Sequence, residues 1–139
     1  MKKLNNLNFQ KEDFSGKTMR FDLYENCTFT ECNFESSALE YCAFISCSFE
    51  RCRFTDIRSV GSSFTFCTMN QNDFSEADLF GNTFEASLIQ NCRFDDDNLA
   101  RCSFAFTVIK NTSFCYSNTR QADFTNSEIS ETPQKEAVN

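Results

Sequence analysis

The chain has 139 residues, the size of a single domain, and 40% of them are hydrophobic, which is enough to form a buried core. Its formal net charge of −7 argues against direct nucleic-acid binding through phosphate contacts and favours a cationic partner or a protein that itself binds DNA. The sequence contains no apolar run typical of a secretory signal or a membrane span, so we expect a cytoplasmic protein that does not contact a membrane.

From Leu4 onwards, an apolar residue recurs at every fifth position as far as Ile129. Twenty-four of these 26 central positions are apolar or Tyr, and no insertion or deletion breaks the spacing. A step of five residues places side chains on changing sides of a helix and on alternating sides of a strand. The spacing therefore predicts a chain that turns a corner every five residues and points each central side chain inward.

The central residues also repeat in character every 20 residues, which predicts four sides per coil. The four columns, which we call faces 1 to 4, are Leu4, Tyr24, Phe44, Phe64, Phe84, Phe104 and Phe124 (face 1); Phe9, Phe29, Phe49, Met69, Ile89, Ile109 and Ile129 (face 2); Phe14, Phe34, Phe54, Phe74, Phe94 and Phe114 (face 3); and Met19, Leu39, Ser59, Leu79, Leu99 and Thr119 (face 4). The position two residues before each centre is nearly always small and holds eight of the nine Cys, so it is predicted to point inward as well.

Two segments, 76–80 (EADLF) and 121–125 (QADFT), resemble the A(D/N)LXX consensus of the pentapeptide-repeat family, and the other repeats follow a Cys-X-Phe variant. The resemblance covers about residues 4–130. It implies an all-β fold, a right-handed quadrilateral parallel β-helix of about six coils without a cofactor. We therefore expect one pentapeptide-repeat domain over residues 1–139.

The two ends of such a solenoid expose unpaired backbone edges and need caps. Residues 1–6 are a candidate for the first cap. At the other end, Thr132 and Pro133 predict the N-cap and first residue of a short helical turn, and residues 131–139 form a polar tail or short cap. An uncovered coil can also stack on a second copy. On face 4, Ser59 allows two interpretations, a face that tolerates small polar residues or a coil that opens locally around residues 57–61.

Few of the residue types that commonly act in catalysis fit a site in this sequence. Because the chain has no His, catalytic triads and zinc–histidine sites are excluded, and we expect neither an enzyme nor a metal site. The odd number of Cys and their fit to the repeat favour free thiols that replace small core residues. Cys115 alone follows a centre, at an outward position, where it is either the most reactive thiol or an inert surface cysteine.

Any function must therefore lie in the outward positions, where charge is unevenly distributed. Face 3 carries eight acidic residues against two Arg, for a net −6, whereas face 4 has a net charge of +2. The acidic residues of face 3 are Glu12, Asp13, Glu35, Asp56, Asp73, Glu76, Asp95 and Asp96. Such a ridge can mimic the phosphate line of a duplex, or it can simply keep a Phe-filled rod soluble.

Five aromatic residues at outward positions are candidates for apolar contacts. Phe66 and Phe106 lie two coils apart in one column with Ala86 between them, and Phe21, Tyr41 and Phe80 lie on face 4. Exposed aromatic residues anchor protein interfaces, although such rings can also pack against their own neighbours.

These features predict a non-enzymatic protein-interaction solenoid with an acidic face and an unidentified protein partner. The chain is also similar to the quinolone-resistance branch of the family, which implies an alternative function as a DNA-mimicking protector of type II topoisomerase (DNA gyrase). It departs from that branch in its polar 131–139 segment and its unbroken frame. We expect a monomer or a homodimer that forms end to end or face to face.

Overall fold

The computed structural model describes residues 1–132 and shows 14 strands of three residues each. They are β1 (Lys3–Asn5), β2 (Asn8–Gln10), β3 (Thr18–Arg20), β4 (Leu23–Glu25), β5 (Thr28–Thr30), β6 (Ala38–Glu40), β7 (Ala43–Ile45), β8 (Ser48–Glu50), β9 (Arg58–Val60), β10 (Ser63–Thr65), β11 (Thr68–Asn70), β12 (Leu88–Gln90), β13 (Val108–Lys110) and β14 (Glu128–Ser130). Within this part of the chain, no helix is long and apolar enough to cross a membrane.

The strands form parallel sheets in which each residue pairs with the residue 20 positions later. Face 2 is a continuous sheet of seven strands, in the order β14-β13-β12-β11-β8-β5-β2. Face 1 contains β1-β4-β7-β10 and face 4 contains β3-β6-β9, and single bridges continue both. Face 3 is held by single bridges alone, from Asp13 to Ser113. The predicted right-handed quadrilateral parallel β-helix of about six coils is confirmed.

The corners of the square share one backbone conformation. Every residue two positions after a centre, from Asn6 to Glu131, has a positive φ, and these positions comprise 23 non-glycine residues and all three glycines. A left-handed residue costs roughly 1–2 kcal/mol for an L-amino acid with a side chain, so neighbouring coils must stabilise each corner. Eleven residue types occur there, charged and aromatic ones among them, so the residue types alone do not predict this conformation.

The core consists of rings stacked along the axis. On face 3, successive Phe rings lie parallel with centroid separations from 4.4 Å (Phe54–Phe74) to 5.3 Å (Phe94–Phe114). Rings of faces 1 and 3 meet edge to face across the centre, as in Phe74–Phe84 at 89°. Each fully buried Phe contributes roughly 1.5–3 kcal/mol from burial alone, and the ring pairs add to this.

The second inward position is filled by small or hydrogen-bonded side chains. Eight Cys are buried there as free thiols, and Asn72 satisfies both ends of its amide: Oδ1 accepts from Cys52 N (2.8 Å) and Nδ2 donates to Phe49 O (3.0 Å).

Ser59, a central residue of face 4, is also buried. Its hydroxyl hydrogen-bonds to Asn82 Oδ1 (3.0 Å), and its N–H donates to Asp78 O. The coil is closed at this point, so the interpretation of a locally opened coil is wrong.

The two ends differ from the predicted caps. Residues 1–6 are not a separate cap, because Lys3–Asn5 forms β1 and pairs with β4 as part of the first coil. Leu4, Phe9 and Phe14 are therefore only partly buried. At the other end, Ile129 is 44% exposed. The predicted helical turn from Pro133 and most of the polar tail lie outside the described residues.

Candidate functional site

The outward positions divide into two classes that the sequence did not separate. The residues that flank each centre are mostly half-buried, since they stack against the same positions of neighbouring coils. The positive-φ residues at the corners are almost all exposed. We name each corner by the two faces it joins. The four columns of corner residues are therefore the most consistently exposed part of the surface.

The eight acidic residues of face 3 do not form one continuous negative surface. Glu12, Asp13, Asp56, Glu76 and Asp96 are exposed, whereas Glu35 and Asp73 are half-buried and Asp95 is buried. The two Arg of this face form ion pairs with the less exposed members. Arg53 Nη1 lies 3.3 Å from Glu35 Oε1, and Arg93 Nη1 lies 4.0 Å from Asp73 Oδ2.

Asp95 departs from the predicted outward placement, since only 8% of it is exposed. Its Oδ2 accepts a hydrogen bond from Arg93 Nε (3.2 Å), and its Oδ1 accepts hydrogen bonds from Cys115 N (2.9 Å) and the Ser113 hydroxyl. This carboxylate connects two coils and is not available to a partner. Its burial places it inside the wall of face 3, so the prediction that it contributes to an exposed acidic face is wrong.

Three exposed carboxylates lie in consecutive coils at corner 3–4, and we call Asp56, Glu76 and Asp96 the acidic row. Neighbouring members are one coil apart, about 4.8 Å along the axis. Asp56 accepts a hydrogen bond from the Ser36 hydroxyl (2.8 Å), and none of the three forms an ion pair with any residue from 1 to 132. The row is continued by Tyr116, which is 55% exposed and was not singled out from the sequence.

Asp97 lies directly after the acidic row but points into the core, where 3% of it is exposed. Its Oδ1 accepts a hydrogen bond from Ala77 N (2.8 Å), while its Oδ2 has no partner. Burial raises the pKa of Asp97 to about 9, and the nearby carboxylates of Asp95 and Asp73 add to the shift. Asp97 is therefore neutral at pH 7, and the net charge of face 4 is +3 rather than +2, from five basic and two ionised acidic residues.

The five aromatic residues that the sequence offered as candidate contacts lie at three places. At corner 4–1, the rings of Phe21 and Tyr41 stack at 5.4 Å and 10°, and Tyr41 covers Gly61, where an added Cβ would lie 2.7 Å from its ring. On face 4, the guanidinium carbon of Arg101 lies 6.0 Å from the ring centroid of Phe80. At corner 1–2, Phe66 and Phe106 are 65% and 61% exposed, and neither contacts another ring of residues 1–132.

The thiols offer little chemistry. Burial raises the pKa of Cys67 to about 12 and that of Cys47 to about 11, so these groups stay protonated at neutral pH. Cys115 is half-buried and is the most accessible of the nine. Among residues 1–132, no group of three or more potential ligands is arranged to hold a metal ion.

The fold and this surface define a class of protein, a four-sided β-solenoid whose most consistently exposed residues lie at its corners. No protein-family model matches the sequence, and no curated protein does. The chain is similar in structure to full-length QnrB1, a plasmid-mediated fluoroquinolone resistance protein, with 18% identity over 99% of this chain and 81% of that one and a TM-score of 0.60. The fold is thus that of the pentapeptide repeat proteins.

Two further solved structures show lower similarity. One is HetL from the cyanobacterium Nostoc, a pentapeptide repeat protein involved in heterocyst differentiation regulation, with 10% identity over 94% of this chain and 84% of that one (TM-score 0.40). The other is the pentapeptide repeat protein Rfr23 from the cyanobacterium Cyanothece, with 11% identity over 99% and 88% (TM-score 0.37).

Proposed function

We propose that the chain is a non-catalytic protein-binding solenoid that presents the acidic row to a cationic surface of another protein. The observation that carries this proposal is the position of Asp56, Glu76 and Asp96, which are exposed and without ion-pair partners among residues 1–132 in three consecutive coils. Neighbouring charges lie closer than the Debye length of about 8 Å at physiological salt, so their fields reinforce one another.

The spacing of the row suits a surface that binds DNA. One charge per coil corresponds to one per about 4.8 Å, compared with one phosphate per about 3.4 Å along a DNA strand. A rigid row of this density attracts Lys and Arg side chains arranged for a phosphate backbone. The stack of parallel coils keeps the row on one corner, since each member has the same position and the same backbone conformation.

An oligolysine peptide is a suitable probe of the row. In the test variant, Asp56, Glu76 and Asp96 are each replaced by Lys, and in the matched control Glu31, Asp78 and Asp123, which are exposed but not in one row, are each replaced by Lys. Both variants have the same net charge. We expect the test variant to bind the peptide on the order of 10- to 100-fold more weakly than the control in fluorescence anisotropy. Equal losses in both variants would reject the row as a binding surface.

A narrower second candidate is protection of a type II topoisomerase by DNA mimicry, favoured by the fold shared with QnrB1 together with the acidic row. Purified DNA gyrase tests this candidate in two assays, direct binding and DNA supercoiling. The chain should bind gyrase in competition with duplex DNA, and the Lys variant of the acidic row should fail where the matched control succeeds. Unchanged supercoiling and no binding to gyrase would exclude the topoisomerase function while leaving the peptide result to decide the broader proposal.

A further inference from the structure

Corner 1–2 differs from the other three corners because its column contains no ionisable residue. We call it the neutral corner, and its members are Asn6, Asn26, Ser46, Phe66, Ala86, Phe106 and Asn126. Phe66 and Phe106 are the two most exposed aromatic side chains of residues 1–132. In a chain with a net charge of −7, this is the line along which two copies can approach with least repulsion.

The structure itself shows how corner rings behave in adjacent coils. Phe21 and Tyr41, one coil apart at corner 4–1, stack nearly parallel at 5.4 Å. At the neutral corner, Ala86 occupies the coil between Phe66 and Phe106, so the two rings are separated by two coils, about 9.6 Å. That gap accommodates one further ring, which would stack on both neighbours at the spacing found throughout the core.

We propose that the neutral corner is a homodimer interface in which two copies lie side by side and antiparallel. Phe66 of each copy inserts over Ala86 of the other, between the partner's Phe66 and the partner's Phe106. The four rings then form one ladder, with the two Phe66 rings in the middle and one Phe106 ring at each end. This arrangement is symmetric about a two-fold axis, because each copy supplies both the ring and the gap.

The spacing favours this register over the alternative in which Phe106 fills the gap. With Phe66 inserted, the two-fold axis passes between the coils of Phe66 and Ala86, close to the middle of the rod, and the two corner columns overlap from Asn26 to Asn126. With Phe106 inserted, the axis moves one coil towards the C-terminal end and the overlap shrinks to the four coils from Phe66 to Asn126. The longer overlap buries more surface.

The same register also matches the rows beside the neutral corner. On the face 1 side, Glu25 lies opposite Thr125 of the other copy, and Glu85 lies opposite Thr65. On the face 2 side, Glu128 lies opposite Thr28. Each carboxylate is therefore in register with a hydroxyl rather than with another carboxylate, which avoids like-charge repulsion.

In the coils between these pairs, each pair contains at least one apolar residue. Ile45 lies opposite Ala105 and Leu88 opposite Thr68, while Val108 lies opposite Ser48. Ala105 is already buried in one copy, whereas the other five side chains are half-buried or exposed and can be buried further. The acidic row lies at the diagonally opposite corner, so the dimer leaves the acidic row of each copy accessible. The dimer proposal therefore does not depend on the proposed function.

Sedimentation equilibrium at micromolar concentrations tests the interface with three single variants. Phe66→Asn removes the central ring and places at the corner a residue that tolerates positive φ, so the fold is expected to remain intact. We expect it to weaken dimerisation by at least about tenfold, as for a central aromatic anchor. Phe21→Asn, which removes a comparably exposed ring from corner 4–1, should leave dimerisation unchanged. Thermal melting verifies that each variant is folded.

The decisive variant is Ala86→Phe, which fills the gap with a ring of the same chain. If the partner's Phe66 must enter this gap, Ala86→Phe blocks it and yields a monomer, even though the variant exposes more apolar surface. A wild-type chain that stays monomeric, or an Ala86→Phe variant that associates more strongly than wild type, would overturn the proposal. The second result would show unspecific apolar association instead of an interdigitated ladder.

Discussion

Corner 1–2 and corner 3–4 lie diagonally opposite each other and have the same backbone, with positive φ in every coil, yet their chemistry is opposite. The neutral corner carries Phe66 and Phe106 and no charge, whereas corner 3–4 carries Asp56, Glu76 and Asp96. The stacked core fixes where both columns stand but not what they contain. On this fold, each corner column takes one residue from every 20, and those residues determine the chemistry that the corner presents.

The largest expected effect comes from a substitution in the core, which should disrupt both corners because both depend on the same stack of rings. Phe54 is fully buried between Phe34 (4.6 Å) and Phe74 (4.4 Å). Phe54→Asp places an unpaired charge inside the stack and should abolish cooperative unfolding, whereas Phe54→Leu should cost on the order of 1–3 kcal/mol. Thermal melting followed by circular dichroism measures both. A Phe54→Asp protein that melts like wild type would contradict the assigned inward frame.

A smaller but pH-dependent effect distinguishes these two corners, because corner 3–4 has the buried carboxyl of Asp97 beside it and the neutral corner has no buried carboxyl beside it. Since burial raises the pKa of Asp97 from 3.8 to about 9, the contribution of this group to stability is highest below about pH 4 and falls as the pH rises towards 9. The substitution Asp97→Asn removes the titrating group. The amide that it introduces could donate a hydrogen bond to Phe74 O, as Asn72 donates to Phe49 O.

We therefore expect Asp97→Asn to be more stable than wild type at neutral pH. Its advantage should grow by about 1.4 kcal/mol per pH unit between roughly pH 4 and pH 9, and then level off. Urea unfolding at a series of pH values measures this difference. A constant difference across that range would mean that Asp97 is ionised in the folded protein.

The smallest effect concerns corner 4–1, whose rings stack within one chain and serve as the reference for the neutral corner. Gly61→Ala places a Cβ 2.7 Å from the Tyr41 ring and displaces it from its position over the glycine, whereas Gly81→Ala meets no atom within 4 Å. Both residues have positive φ, so the matched pair shares the backbone strain. We expect Gly61→Ala to cost about 0.5–1.5 kcal/mol more in unfolding experiments. Equal costs would show that the Tyr41 ring moves aside freely.

The fold could be predicted almost completely from the sequence, because an unbroken step of five residues leaves one arrangement that buries all the central side chains. The 20-residue columns further divided the surface into faces, and they placed Phe66, Ala86 and Phe106 in one line. Sequence reasoning could go this far because, in a solenoid, position along the chain maps directly onto position on the surface.

The individual contacts of the candidate site could not be predicted in the same way. Counting charges placed Asp95 with Asp96 on one outward face, although the flanking position is half-buried and three donors hold Asp95 inside it. The same count assigned Asp97 a charge that burial removes. The positive φ of the corners was also missed, because it is imposed by neighbouring coils rather than by glycine. These properties depend on packing between coils, which a one-dimensional pattern does not contain.

The most direct test of whether the two opposite corners act independently is to measure dimerisation and peptide binding for one variant of each corner. Sedimentation equilibrium and oligolysine binding should be determined for Ala86→Phe and for the protein in which Asp56, Glu76 and Asp96 are replaced by Lys. We predict that Ala86→Phe is monomeric but binds the peptide like wild type, and that the Lys variant dimerises but binds the peptide weakly. Loss of both properties in either variant would contradict two separate binding edges on one rod.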